Sequence, residues 1–214
     1  MGRFSRPVRD TYIAPGVSSF NAAKIPDMSD YHKESNHWVA NHFLNSVFRA
    51  RLEAPLNAYV YNYLRRAEGA FSEHDLARAA TADFLASGGQ SPSRYAASLM
   101  HWEFFLGQCW QAYALLDKLT RVASETEKPS IFDQGDGSVE ERLNTLYNSM
   151  KHVEKRIAAG QILEGATTPV WLTKEGLQST DILLKYEETG DILRDVARWA
   201  DLLVDPVEIP SKLR

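Results

Sequence analysis

The sequence predicts an all-α fold: an antiparallel bundle of about five helices. Three observations predict it. Long stretches carry apolar residues at helical spacing, short Gly- and Pro-containing breaks separate them, and one short stretch alone reads as strand. Short breaks between long helices favour antiparallel neighbours. At 214 residues, with 44% hydrophobic and 24% charged residues, the chain is long enough to bury a core without metals or disulfides.

Residues 1–28 contain Pro7, Pro15, Gly16 and Pro26 without sustained periodicity, so an extended N-terminal arm is expected. The bundle domain is placed at 29–205 and a C-terminal tail at 206–214. From Asp30, a broad apolar face of Trp38, Phe43, Leu44, Val47, Phe48 and Leu52 marks the first helix, broken at Pro55. A second runs through Tyr59 to Arg66, and Gly69 is read as its end. Ser72-Glu73-His74-Asp75 resembles a helix-start capping box, opening an alanine-rich helix that Gly88-Gly89 stops. The segment from about Ser93 to Val122 is apolar nearly all round and is expected at the centre of the bundle. Ser124 to Gly137 is a polar linker. Ser138-Val139-Glu140-Glu141 is a second capping box, opening a helix to about Ala159 with Gly160 beyond it. Val170-Trp171-Leu172-Thr173 and Leu177-Gln178 flank Lys174-Glu175-Gly176, and predict a small β-hairpin at about 168–179. Thr180 or Asp181 is the expected start of the last helix.

Composition excludes several classes. One cysteine, Cys109, allows no intramolecular disulfide, and no apolar run approaches the ~20 residues of a membrane span. The N-terminus has arginines but no apolar stretch after them, unlike a signal peptide. A cytoplasmic location, without membrane contact, is therefore expected. The net charge of −4 is not that of a strongly basic nucleic-acid binder, although Arg49, Arg51, Arg65, Arg66 and the arginines of the arm leave room for a local basic patch. No Gly-rich phosphate loop occurs, and no cofactor is expected.

The candidate site residues are Asn148 and His152. They lie four apart on the helix from Ser138, so their side chains are neighbours, and they point away from its apolar stripe of Val139, Leu146, Met150 and Val153. Histidine suits proton transfer because its pKa lies near neutrality. A metal site is the competing reading. Glu34-Ser35-Asn36-His37 is one Glu-x-x-His, and Glu103 stands among apolar neighbours, but a di-iron bundle needs a second such motif. His32, His37 and His42 would spread about 140° apart in successive steps on a helix, too far to share one ion. Cys109, inside the most apolar helix, reads as a buried structural thiol. Most of the five tryptophans sit in apolar stripes. Trp171, on the hairpin, is the one expected to expose its ring at a binding or dimer surface.

The helix from Glu141 to Ile157, ERLNTLYNSMKHVEKRI, resembles the signature helix of HEPN domains. These are helical bundles, commonly homodimers, found in ribonucleases of toxin–antitoxin and antiviral systems and in non-catalytic relatives. Their motif is an Arg, often followed by Asn, with a His about a turn later. Asn148 and His152 match its polar and histidine positions, while Tyr147 stands where the arginine belongs and supplies no cation. Arg142 and Lys151 point about 80° and about 100° away from His152. The resemblance therefore implies a non-catalytic or regulatory module that binds RNA or nucleotides, or a defence-associated module with a cognate protein partner, and a homodimer. The alternatives are a toxin-like ribonuclease with a degenerate motif and a ferritin-like metal-dependent enzyme.

Overall fold

A computed structural model describes residues 4–31, 37–124, 130–133, 135–162, 166–207 and 209. Among them are seven α-helices: α1 (Arg6–Tyr12), α2 (Trp38–Phe48), α3 (Leu56–Ala86), α4 (Pro92–Ser124), α5 (Val139–Lys151), α6 (Val153–Ala158) and α7 (Tyr186–Leu203). A small antiparallel sheet of β1 (Trp171–Leu172), β2 (Gly176–Gln178) and β3 (Leu183–Lys185) precedes α7. The mostly helical class is as expected, and the structure revises the elements within it.

The bundle is organised by one long hairpin. α3 and α4, of 31 and 33 residues, pack along each other on either side of the Gly88-Gly89 turn. Both glycines have positive φ, 70° and 66°, a conformation that costs them no Cβ clash. The sequence reading split α3 in two at Gly69. The helix runs straight through, and a Cβ at Gly69 would lie 2.9 Å from the Gln108 side chain on α4. Gly69 marks a close approach of two helices and not a helix end. Ser72-Glu73-His74-Asp75 is accordingly mid-helix.

Trp102, Phe105 and Leu106 of α4 are fully buried, with Tyr63, Leu64 and Phe84 of α3 and Leu193 and Val196 of α7. Each large apolar side chain buried in this way contributes about 1.5–3 kcal/mol. Three polar links fix the packing. Trp102 Nε1 donates to Thr81 Oγ1 at 3.0 Å, Tyr63 Oη to the Val196 carbonyl at 3.0 Å, and the Leu172 N–H to Tyr95 Oη at 2.9 Å.

The hairpin before the last helix gains a third strand. β2 pairs with β1 through Leu172 and Leu177, and with β3 through Leu177 and Leu184. Gly176 permits this, since a Cβ there would sit 2.0 Å from the Leu184 carbonyl oxygen. α7 therefore starts at Tyr186, five or six residues beyond the expected start. Trp171 is 3% exposed, so it is a core residue and not a surface ring.

The N-terminal segment is not a free extended arm. Pro7 lies in the first turn of α1, where its missing N–H costs nothing. Ile13, Ala14, Val17, Phe20 and Met28 are buried, and Arg9 Nη1 donates to the Gly89 carbonyl at 3.2 Å. At the other end, Pro206 and Ile209 are buried as well. Among the described residues, no helix is long and apolar enough to cross a membrane.

Candidate functional site

α5 carries the predicted site. Ser138 caps it, its Oγ accepting from the Glu141 N–H at 3.3 Å, the serine half of the expected capping box; the Glu141 carboxylate accepts instead from the Gly135 and Gly137 N–H groups, and the Ser138 N–H donates to Asp136. Leu143 and Leu146 anchor the helix in the core, joined by the small Ser149, whose Oγ donates to the Thr145 carbonyl. The helix expected to continue to Ala159 breaks at His152 (φ −113°, ψ 33°), which ends α5 and precedes α6.

Asn148 and His152 are both half-buried. Asn148 Nδ2 donates to Asn144 Oδ1 at 2.9 Å, and the same oxygen accepts from Trp110 Nε1 at 2.8 Å. Asn148 is thus occupied in a polar chain that ties α5 to α4. Among the described residues, the His152 ring has no hydrogen-bond partner, while its backbone N–H donates to the Asn148 carbonyl.

Tyr147 lies flat on Trp110, with ring centroids 4.6 Å apart and planes 19° from parallel. Phe132 stacks on the same indole at 5.7 Å and 9°. Lys151 Nζ stands 5.7 Å from the indole centroid, a cation–π distance. The residue in the arginine position of the motif is therefore committed to an aromatic stack.

The other arginine of α5 is also committed. Arg142 holds Glu188 of α7 through two hydrogen bonds of 2.9 and 2.6 Å, and donates to the Leu183 carbonyl at 2.9 Å. It cannot serve His152.

A cation does reach the neighbourhood from α3. Arg66, Trp110, Gln111, Ala114, Leu115, Lys118 and Asn62 line an open groove of about 360 Å³ between α3 and α4. Arg66 Nη1 donates to Gln108 Oε1 at 3.1 Å. Partial burial lowers the Arg66 pKa first and the charge of Arg65 second, while the nearby Tyr147 acts in the opposite sense. Lys118 is exposed at the far edge. Sequence reading missed this groove because Trp110 belongs to an apolar helix and reads as core. The one available signal was Arg66, already named among candidate patch residues.

The remaining candidates disperse. Arg49 is paired with Asp205, and Arg65 donates to Asn62. His37 is exposed and His42 buried, while His32 and Glu34 lie outside the described residues. Among the described residues, no three His, Cys, Asp or Glu side chains are placed to hold a metal ion. Glu103 is half-buried, and burial raises its carboxyl above the usual range. Cys109 is fully buried in the core, and burial pushes its thiol well up.

Comparison with protein-family models, curated proteins and solved structures gives no match to this chain.

Proposed function

We propose that this chain is a HEPN-like, non-catalytic binder of single-stranded RNA or nucleotides, and that the ligand lies in the groove edged by Arg66, Trp110 and Lys118. The observation that carries this reading is Arg66. It brings from α3, to the side of Trp110 and Tyr147, a cation additional to Lys151, which stands over the Trp110 ring. A guanidinium and an ammonium at two edges of one groove suit successive phosphates. The half-buried indole and Leu115 between them give a base an apolar, aromatic surface.

The same geometry argues against cleavage. Tyr147 is stacked, Asn148 is hydrogen-bonded within the helix, Arg142 is paired and Lys151 stands over the Trp110 ring, so each cation of α5 is engaged away from His152. Anisotropy of a labelled single-stranded oligoribonucleotide tests the reading. Binding should weaken with salt, Lys118→Ala should reduce the slope by about one counterion, and Arg66→Ala should cost about tenfold in affinity. Absence of binding by the wild type refutes the proposal. Cleavage of RNA that disappears in His152→Ala would restore the ribonuclease reading in its place.

A further inference from the structure

The apolar face of α2 is turned outward. Phe43, Leu44, Val47 and Phe48 are 60%, 48%, 58% and 78% exposed, and Ala40, one turn earlier, is exposed too. The spacing i, i+3, i+4, i+7, i+8 is that of a stripe which normally meets a partner. Yet the opposite side of α2 holds the helix to the body. Trp38 Nε1 donates to Asp201 Oδ1 at 2.7 Å, the Val39 N–H to Glu68 Oε1 at 2.9 Å, and Asn45 Nδ2 to the Val204 carbonyl at 3.1 Å. Trp38 and His42 are the side chains that α2 buries. The sequence shows the stripe as a broad apolar face; in the structure the side that meets the body is built on Trp38, His42 and polar anchors.

Charge and shape select the occupant. From Trp38 to Phe48 there is no Asp, Glu, Lys or Arg, so one copy of this face does not repel another, and a charged partner finds nothing to pair with. Arg49, at the end of the stripe, is paired with Asp205, which leaves the exposed Arg51 as a single cation beside the stripe, fewer than the cluster an anionic lipid surface would favour. Ala40, Leu44 and Phe48 form one four-residue ridge and Phe43 with Val47 a second, the rows that interdigitate when two helices cross. Taking about 200 Å² for an aromatic side chain, Phe43 and Phe48 alone leave on the order of 280 Å² open per copy, a large part of a small two-fold interface.

We propose that α2 is the surface through which two copies of this chain associate, each stripe covering the other about a two-fold axis. The pairing stands apart from the nucleotide groove, none of whose residues lies on α2. It joins the copies through α2 and not through the α5 motif.

Sedimentation velocity across the micromolar range tests this on the full chain, with wild type, Phe48→Glu and Phe43→Glu/Phe48→Glu. The wild type should shift from monomer to dimer with rising concentration. Each glutamate variant should dimerise at least about tenfold more weakly, as expected for removal of a central aromatic anchor. Both side chains are exposed, so circular-dichroism melts should match the wild type and show that folding is intact. A wild type that stays monomeric overturns the proposal, as does a dimer that survives the double substitution. A monomer that sediments with phosphatidylcholine–phosphatidylserine vesicles, and ceases to do so in Phe48→Glu, overturns it in favour of a lipid surface.

Discussion

The backbone of Gly69 lies against the Gln108 side chain so closely that an added Cβ would stand 2.9 Å from Cδ and 3.0 Å from Oε1. Gln108 Oε1 is also the acceptor that holds Arg66. Gly69→Ala therefore acts in two directions. A helix-interior glycine replaced by alanine gains about 1 kcal/mol of helix propensity. The displaced Gln108 amide gives up a hydrogen bond worth about as much. Thermal melting should move little, while oligoribonucleotide affinity falls because Arg66 loses its tether. Gly69→Ala/Gln108→Ala, with the obstruction gone, should melt above Gly69→Ala but bind no better. Unchanged affinity in Gly69→Ala would separate Arg66 from the binding groove.

That pair also explains what could be read from the sequence. Periodicity gave the helices, because apolar spacing follows from burial. It placed the stop at Gly69 wrongly, because a glycine that ends a helix and one that admits a neighbouring helix look alike along a chain. It found the stripe of α2 but not which side of the helix meets the body, since burial there is decided by Trp38, His42 and Asn45 meeting α7 and the chain beyond it. Asn148 and His152 are read as neighbours on one helix, but the helix ends at Lys151 and His152 lies in the break; the Tyr147–Trp110 stack and Arg66 come from three helices and have no local pattern. The break at His152 carries no Gly or Pro, the residues by which sequence signals an interruption.

His42 should make stability depend on mildly acidic pH. The ring is 2% exposed, and its Nδ1 has no partner at full hydrogen-bonding geometry. Burial lowers its pKa below the ordinary 6.5, against the pull of the Val204 and Leu203 carbonyls and the Asn57 side chain. The unfolded chain therefore takes up the proton first. Stability from this group is complete above about pH 6.5 and declines as pH falls from there through the folded pKa. Urea melts between neutral and mildly acidic pH should show this slope, and His42→Phe should flatten it. An equal slope in the variant would assign the effect to another group.

Glu188 governs a lower window. Burial pushes its carboxyl up, but the Arg142 hydrogen bonds, the Lys185 N–H and the charges of both residues outweigh this and leave the pKa below the ordinary 4.5. The pair's stabilisation is thus present above about pH 4.5 and is lost as pH falls below it. Both side chains are only 20–23% exposed, and the carboxylate also accepts from the Lys185 N–H at 2.8 Å, at the start of α7. Glu188→Gln keeps an acceptor for that N–H and should cost about 1 kcal/mol; Glu188→Ala loses pair and cap together and should cost about 2 kcal/mol. Denaturant midpoints at neutral pH check the order. A Gln variant as damaged as the Ala variant would put the whole effect in the ion pair.

Cys109 offers a clock for opening of the core. Its thiol is fully buried between helices, and burial raises its pKa well above the usual value, so both access and thiolate are withheld in the folded chain. An aromatic disulfide reagent should leave the native protein unmodified and label it completely in denaturant. Under native conditions, at high reagent concentration, the labelling rate should become independent of reagent, because unfolding of α4 limits it. Cys109→Ala should still bind the oligoribonucleotide, since the thiol touches neither the groove nor α2. Rapid stoichiometric labelling of the native chain would contradict the burial on which this packing of α3 against α4 depends.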